Sequence, residues 1–142
     1  MRKSTKISPA SPRSLRSRDP HGSKFLHFFH SVQQIKSDIL GKQYELSFAF
    51  ISKNKIKSLN KKYRKKDEPT DILSFLLGKD NGEILICREI AKIKAPKFEK
   101  KMEEYILFLV IHGILHLKGL LHGAKMERYE QRYYSRYRRR YL

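Results

Sequence analysis

His112-Gly113-Ile114-Leu115-His116-Leu117-Lys118-Gly119-Leu120-Leu121-His122 constrains this chain more than any other stretch. Apolar residues fill the gaps between the histidines, so the segment reads as a buried helix rather than a loop. Four residues turn a helix through roughly 400°, which sets His112 and His116 on one face about one turn apart. Gly119 adopts φ > 0 without steric cost, so it is expected to end the helix and fold the chain back toward His122. Three neutral imidazoles with an open fourth position describe a catalytic zinc site, because structural zinc sites usually close with four ligands and favour cysteine. The competing reading is a set of hydrogen-bonded histidines on a half-buried helix; the spacing and the glycine favour the metal.

The same spacing occurs in zinc metalloproteases of the metzincin type, where a glutamate directly after the first histidine is the general base. Here that position is Gly113, and no carboxylate lies between His112 and His122. The ligand spacing is retained without the proteolytic base.

The rest of the chain bounds the partners. At 142 residues it is one domain, with 39% hydrophobic and 32% charged residues, a composition that supports a core. A net charge of +18 points to polyanions, nucleic acid first among them. The apolar run Tyr105 to Ile111 is far short of the ~20 residues of a membrane span, and no membrane partner is expected. Cys87 is the single cysteine, which fits a reducing compartment and excludes an intramolecular disulfide. It reads as the end of a buried strand rather than a ligand.

Residues 1–24 hold six serines, three prolines, seven Lys/Arg and one acid, too little apolar surface to bury, and read as a disordered basic tail. Their Arg- and Ser-rich, acid-poor character overlaps with organellar transit peptides, which keeps an organelle matrix open beside a cytoplasmic location. The domain is expected over residues 25–142. Phe25, Phe28, Phe29, Val32, Ile35 and Ile39 recur at helical spacing before a stop at Gly41. Tyr44, Leu46, Phe48 and Phe50 alternate as a half-buried strand. Ser52 is placed to cap a helix with Ile56, Leu59 and Tyr63 on its apolar face. Residues 70–77 and 82–87 read as strands joined by a turn over Lys79-Asp80-Asn81-Gly82, whose Asn-Gly pair is a hairpin signal. A central helix over 97–119 and a final helix over 124–141 complete an α+β fold, a small mixed sheet packed with helices.

Positive charge is clustered. Eight Lys/Arg and no acid fall between Lys53 and Lys66. In the final helix Arg128, Arg132, Arg136 and Arg140 run at i+4 steps beside Tyr129, Tyr133, Tyr137 and Tyr141. The arginines read as phosphate contacts. The tyrosines read as packing on the body, as aromatic stripes at helical spacing usually do.

HGILHLKGLLH resembles the HGxLHLxGxDH signature of the YbeY-type endoribonucleases, and the stretch from Leu59 to Phe75 (LNKKYRKKDEPTDILSF) resembles that family's second block. Gly82-Glu83-Ile84-Leu85-Ile86 matches the strand that follows. The resemblance covers roughly residues 25–142 and implies a zinc-dependent, single-strand-specific endoribonuclease of 16S rRNA maturation and ribosome quality control. Its partners would be single-stranded RNA, rRNA and the ribosome. One zinc ion per chain would be held by His112, His116 and His122. Arg64 and His112 are the catalytic residues so implied, with Lys61, Lys62, Lys65 and Lys66 tracking the RNA backbone. Leu121 and Leu76 depart from the family, which has Asp and usually Pro there. With no base beside the ligands, the proton would go to metal-bound hydroxide or to a nearby acid such as Asp71, Glu83 or Glu127. The alternative is a non-catalytic ribosome- or RNA-binding protein with a structural zinc.

Overall fold

A computed structural model describes residues 22–142; the expected basic tail lies outside them as far as residue 21. The order is α1 (Gly22–Leu40), β1 (Glu45–Phe50), α2 (Lys53–Arg64), β2 (Ile72–Gly78), β3 (Asn81–Ile86), α3 (Arg88–Lys94), a 3₁₀ turn (Ala95–Phe98), α4 (Met102–Lys118) and α5 (Ala124–Tyr141). The sheet order is β1-β3-β2, with β1 parallel and β2 antiparallel to β3. This is the mixed sheet and α+β class expected.

Strand alternation divides the core in two. Leu46, Phe48, Ile84 and Ile86 meet Val32 and Ile35 of α1 and Ile111, Ile114 and Leu115 of α4 on one face. Ala49, Leu73 and Leu85 meet Ile56 and Leu59 of α2 on the other. The centre of α4 is buried nearly all round because α1, α5 and the sheet enclose it. Ser52 caps α2 as expected, its Oγ accepting from the Lys55 N–H at 3.1 Å.

Several boundaries differ from the sequence reading: α1 begins at Gly22, inside the expected tail, and β2 and β3 shift by one or two residues. The central helix starts at Met102, because Glu99 is left-handed (φ 57°) and Lys101 is extended; a short helix, α3, and the 3₁₀ turn precede it. Glu104 marks the true start: its Oε1 accepts from the Lys101 N–H at 2.9 Å. Of α3 only Ala91 is buried, so its seven residues leave little periodicity to detect. The hairpin turns at Lys79-Asp80, within the four residues expected, and Asn81 and Gly82 already belong to β3, since Gly78 pairs with Asn81 and Leu76 with Gly82. Gly82 is required for another reason. A Cβ there would lie 2.5 Å from the Tyr44 hydroxyl and 3.0 Å from Leu117 Cδ1.

Candidate metal centre

The buried helix α4 delivers His112 and His116 at its exposed end. Gly119 closes it with φ 106°, its N–H donating to the His116 carbonyl at 2.9 Å, while the Leu120 N–H donates to Leu115 at 3.1 Å. That left-handed cap turns the chain so that His122 returns to the cluster, as its sequence position predicts. Ring centroids lie 4.6 Å apart for His112–His116, 4.8 Å for His116–His122 and 5.5 Å for His112–His122.

One ligand atom from each histidine falls within 4.8 Å of the others. Tetrahedral nitrogens around zinc sit about 3.3 Å apart, given bonds of about 2.0–2.1 Å, so small side-chain adjustments would close the set. The donors are suited to it. His116 Nδ1 is engaged by the Leu120 carbonyl at 3.1 Å, and His112 Nδ1 by the Glu130 carboxylate. Both engagements leave Nε2 to face the cluster, the arrangement typical of metal-ligating histidines. Burial, with the charges of His112 and His122 adding to it, holds the His116 imidazole below its usual range and so favours the neutral form a ligand needs.

Glu130 was not among the acids expected near the site. Its signal in the sequence is positional: it shares the inward stripe of α5 with Met126 and Tyr137, where a carboxylate needs a partner. Of the acids that were expected, Asp71 and Glu83 lie elsewhere. Asp71 accepts from the Tyr105 hydroxyl at 2.7 Å and lies 3.6 Å from Lys94 Nζ, pinning α4 to the start of β2. Glu83 points to the opposite face of the sheet, wholly buried, with neither carboxylate oxygen hydrogen-bonded among the described residues. Burial pushes its carboxyl up to about 7. Glu127 is exposed in the first turn of α5.

Gly113 explains the missing protease glutamate. A Cβ there would stand 3.0 Å from Ile84 Cδ1, 3.1 Å from Ile72 Cδ1 and 3.1 Å from Ser74 Oγ. The helix turn carrying His112 lies flat on the sheet, with no room for a side chain. Ser74 also links this turn to Arg64: an Arg64 Nη2 donates to the Ser74 carbonyl at 3.2 Å. That carbonyl points to the free edge of β2, since Asp71, two residues before Leu73, is bonded to Cys87 on the inner side. Lys61, Lys62, Lys65 and Lys66 flank Arg64 at the exposed end of α2, Lys61 lying 4.0 Å from Asp67. Cys87 is buried directly after β3, away from the ligands as expected.

Fold and cluster together define a class: α+β domains that present three imidazoles from one helix end and the turn after it. The chain belongs to the endoribonuclease YbeY family, whose sequence profile matches residues 18–138. Among its relatives, the endoribonuclease YbeY of Thermosipho melanesiensis is 32% identical over 122 residues, 80% of this chain and 88% of that protein. That of Staphylococcus carnosus is 35% identical over 109 residues, 68% of each chain. The solution structure of a Thermotoga maritima protein aligns with a TM-score of 0.58 and 27% identity, covering 82% of both chains.

Proposed function

We propose that this protein is a zinc-dependent, single-strand-specific endoribonuclease acting in 16S rRNA maturation and ribosome quality control. The observation that carries the reading is the convergence of His112, His116 and His122 in a chain of this family, with ring nitrogens oriented by Glu130 and Leu120. One zinc ion would be held by the three imidazoles, where it supplies a water of lowered pKa and a Lewis acid for a phosphoryl oxygen.

The chain's own groups do the rest. Arg64 holds the scissile phosphate with the donors its bond to Ser74 leaves over, offsetting charge that grows on the phosphoryl oxygens. Anchoring one arm of the guanidinium reduces the freedom lost when phosphate arrives. His112 is the catalytic imidazole as well as a ligand, and the carboxylate behind it fixes its tautomer and raises its basicity. Lys61, Lys62, Lys65 and Lys66 are exposed and take the flanking phosphates. The reading includes a cytoplasmic location, in keeping with the lone buried Cys87. Among the described residues no helix is long and apolar enough to cross a membrane.

A second reading, an RNA-binding protein with a structural zinc, is favoured by Leu121, 80% exposed where the family signature carries Asp. Cleavage of a labelled single-stranded RNA, with and without chelator and alongside elemental analysis, separates the two. The enzyme reading expects close to one zinc per chain, cleavage abolished by chelator, and loss of both zinc and cleavage in His116→Ala. Full zinc content without cleavage would leave the binding reading. Unchanged zinc in His116→Ala would discard the three-histidine site.

A further inference from the structure

The final helix carries a second feature that the histidine centre does not use. At 100° per residue, Lys125, Arg128, Arg132, Arg136, Arg139 and Arg140 fall in one sector of about 120°, and all six are exposed. Neither acid of α5 shares that sector: Glu130 turns inward to His112, and Glu127 lies on nearly the opposite side of the helix. Among the described residues no carboxylate forms an ion pair with Arg128, Arg132 or Arg136. The sector is centred roughly 140° round the helix from Glu130, so these cations face away from the histidines.

Three of the guanidinium groups, those of Arg132, Arg136 and Arg140, rest against tyrosine rings. Tyr129, Tyr133, Tyr137 and Tyr141 form a ladder of near-parallel rings, with centroids 6.3, 6.0 and 5.9 Å apart. Tyr137 is wholly buried and its hydroxyl donates to Asp38 of α1 at 2.6 Å, which fixes the ladder to the body. Arg132 lies over Tyr129 and Arg136 over Tyr133, each 5.6 Å from the ring centroid. Lys125, Arg128, Tyr129 and Arg132 line a shallow depression at the start of the row. The result is a convex row of cations rising about 6 Å per i+4 step, the scale of one backbone repeat of a nucleic-acid strand.

We propose that the outer face of α5 docks the phosphate backbone of double-helical RNA, separately from the histidine centre. The inference rests on the reading of this chain as an RNA-acting protein and adds the structured part of the substrate. The tyrosine faces are stacked on one another and covered by arginine, so they offer no platform for unpaired bases. Phosphate contact without base contact suits a regular backbone and is indifferent to sequence. A membrane surface fits less well, because the apolar side of α5 is turned into the core and the outward side has nothing to insert. The protein would hold a helical RNA element on α5 while an adjacent single strand reaches the cleft.

The test uses the full chain and the triple variant Arg128→Gln/Arg132→Gln/Arg136→Gln, with circular dichroism to verify the helix. Probes are an RNA hairpin with a single-stranded extension, a short single-stranded RNA and phosphatidylserine vesicles. The hairpin Kd should rise tenfold or more, and its log–log salt slope should become shallower by about 2–3, given just under one per phosphate contact. Cleavage of the short strand should keep its rate. The corresponding triple Arg→Lys variant should recover most hairpin affinity. Unchanged hairpin affinity, equal weakening for hairpin and single strand, or an effect confined to vesicles would overturn the proposal. If the wild type cleaves nothing yet hairpin binding still depends on these arginines, the docking surface stands and the nuclease reading falls.

Discussion

The Glu130 carboxylate lies directly on His112 Nδ1, joining α5 to α4 across eighteen residues of chain. The contact leaves His112 one nitrogen for a cation and makes that nitrogen a better donor. Glu130→Gln keeps the shape but removes the charge. Zinc affinity, measured by competition with a chromophoric chelator, should fall about 10–100-fold, the usual effect of losing such a partner. Undiminished affinity would make Glu130 a helix-packing residue only.

Arg64 donates to the Ser74 carbonyl from the end of α2. If its remaining donors act mainly on the transition state, Arg64→Lys should lose cleavage while keeping most RNA affinity, because lysine retains the charge without the planar fork. Binding titrations and single-turnover cleavage on the same RNA check this. Equal losses in both would make Arg64 one more phosphate anchor.

Gly113 is a packing requirement in the middle of a helix. Alanine there gains about 1 kcal/mol of helix propensity but forces Ile84, Ile72 and Ser74 apart, with overpacking costs of about 1–3 kcal/mol. Overpacking should win, leaving Gly113→Ala destabilised by about 1 kcal/mol in urea denaturation. Gly113→Glu adds a buried carboxylate to the same collision and should not give a stable fold.

Glu83 predicts a pH dependence. Its carboxyl titrates at about 7 in the folded protein against 4.5 ordinarily, because burial disfavours the charged form. Between those values the folded chain holds a proton that the unfolded chain releases, so stability falls as pH rises from 4.5 through 7. The loss is complete above 7 and amounts to about 3 kcal/mol at most. Glu83→Gln should therefore be more stable than wild type at pH 8, with the difference shrinking toward pH 5. A constant difference across that range, in denaturant titrations, would show that Glu83 stays ionised or finds a partner.

The local elements were legible because each is written in neighbouring residues. Apolar periodicity marked α1 and α5, alternation marked β1, Ser52 marked the start of α2, and Gly119 marked the end of α4. The three histidines belong to this group, since one helix turn and one left-handed glycine bring them together without help from the rest of the chain. Clustered charge was equally plain, as counting needs no fold.

Tertiary structure decided what depends on residues far apart in sequence. Nothing beside His112 in the chain announces Glu130, because their contact exists only when α5 packs back on α4. The short helix α3 and the late start of α4 escaped for lack of periodicity, and only the pairing with β2 shows that, of Lys79 to Gly82, the last two residues belong to β3. Gly113 read as a missing glutamate until Ile72, Ser74 and Ile84 showed that no side chain fits. Likewise the α5 arginines read as phosphate contacts from sequence, but only helix packing shows which way they face. Sequence by itself determines groups within a turn or two of one another, since backbone geometry alone sets their distance. Which faces meet, and which acid stands behind which histidine, follows from burying two sheet faces at once, and that belongs to the whole chain.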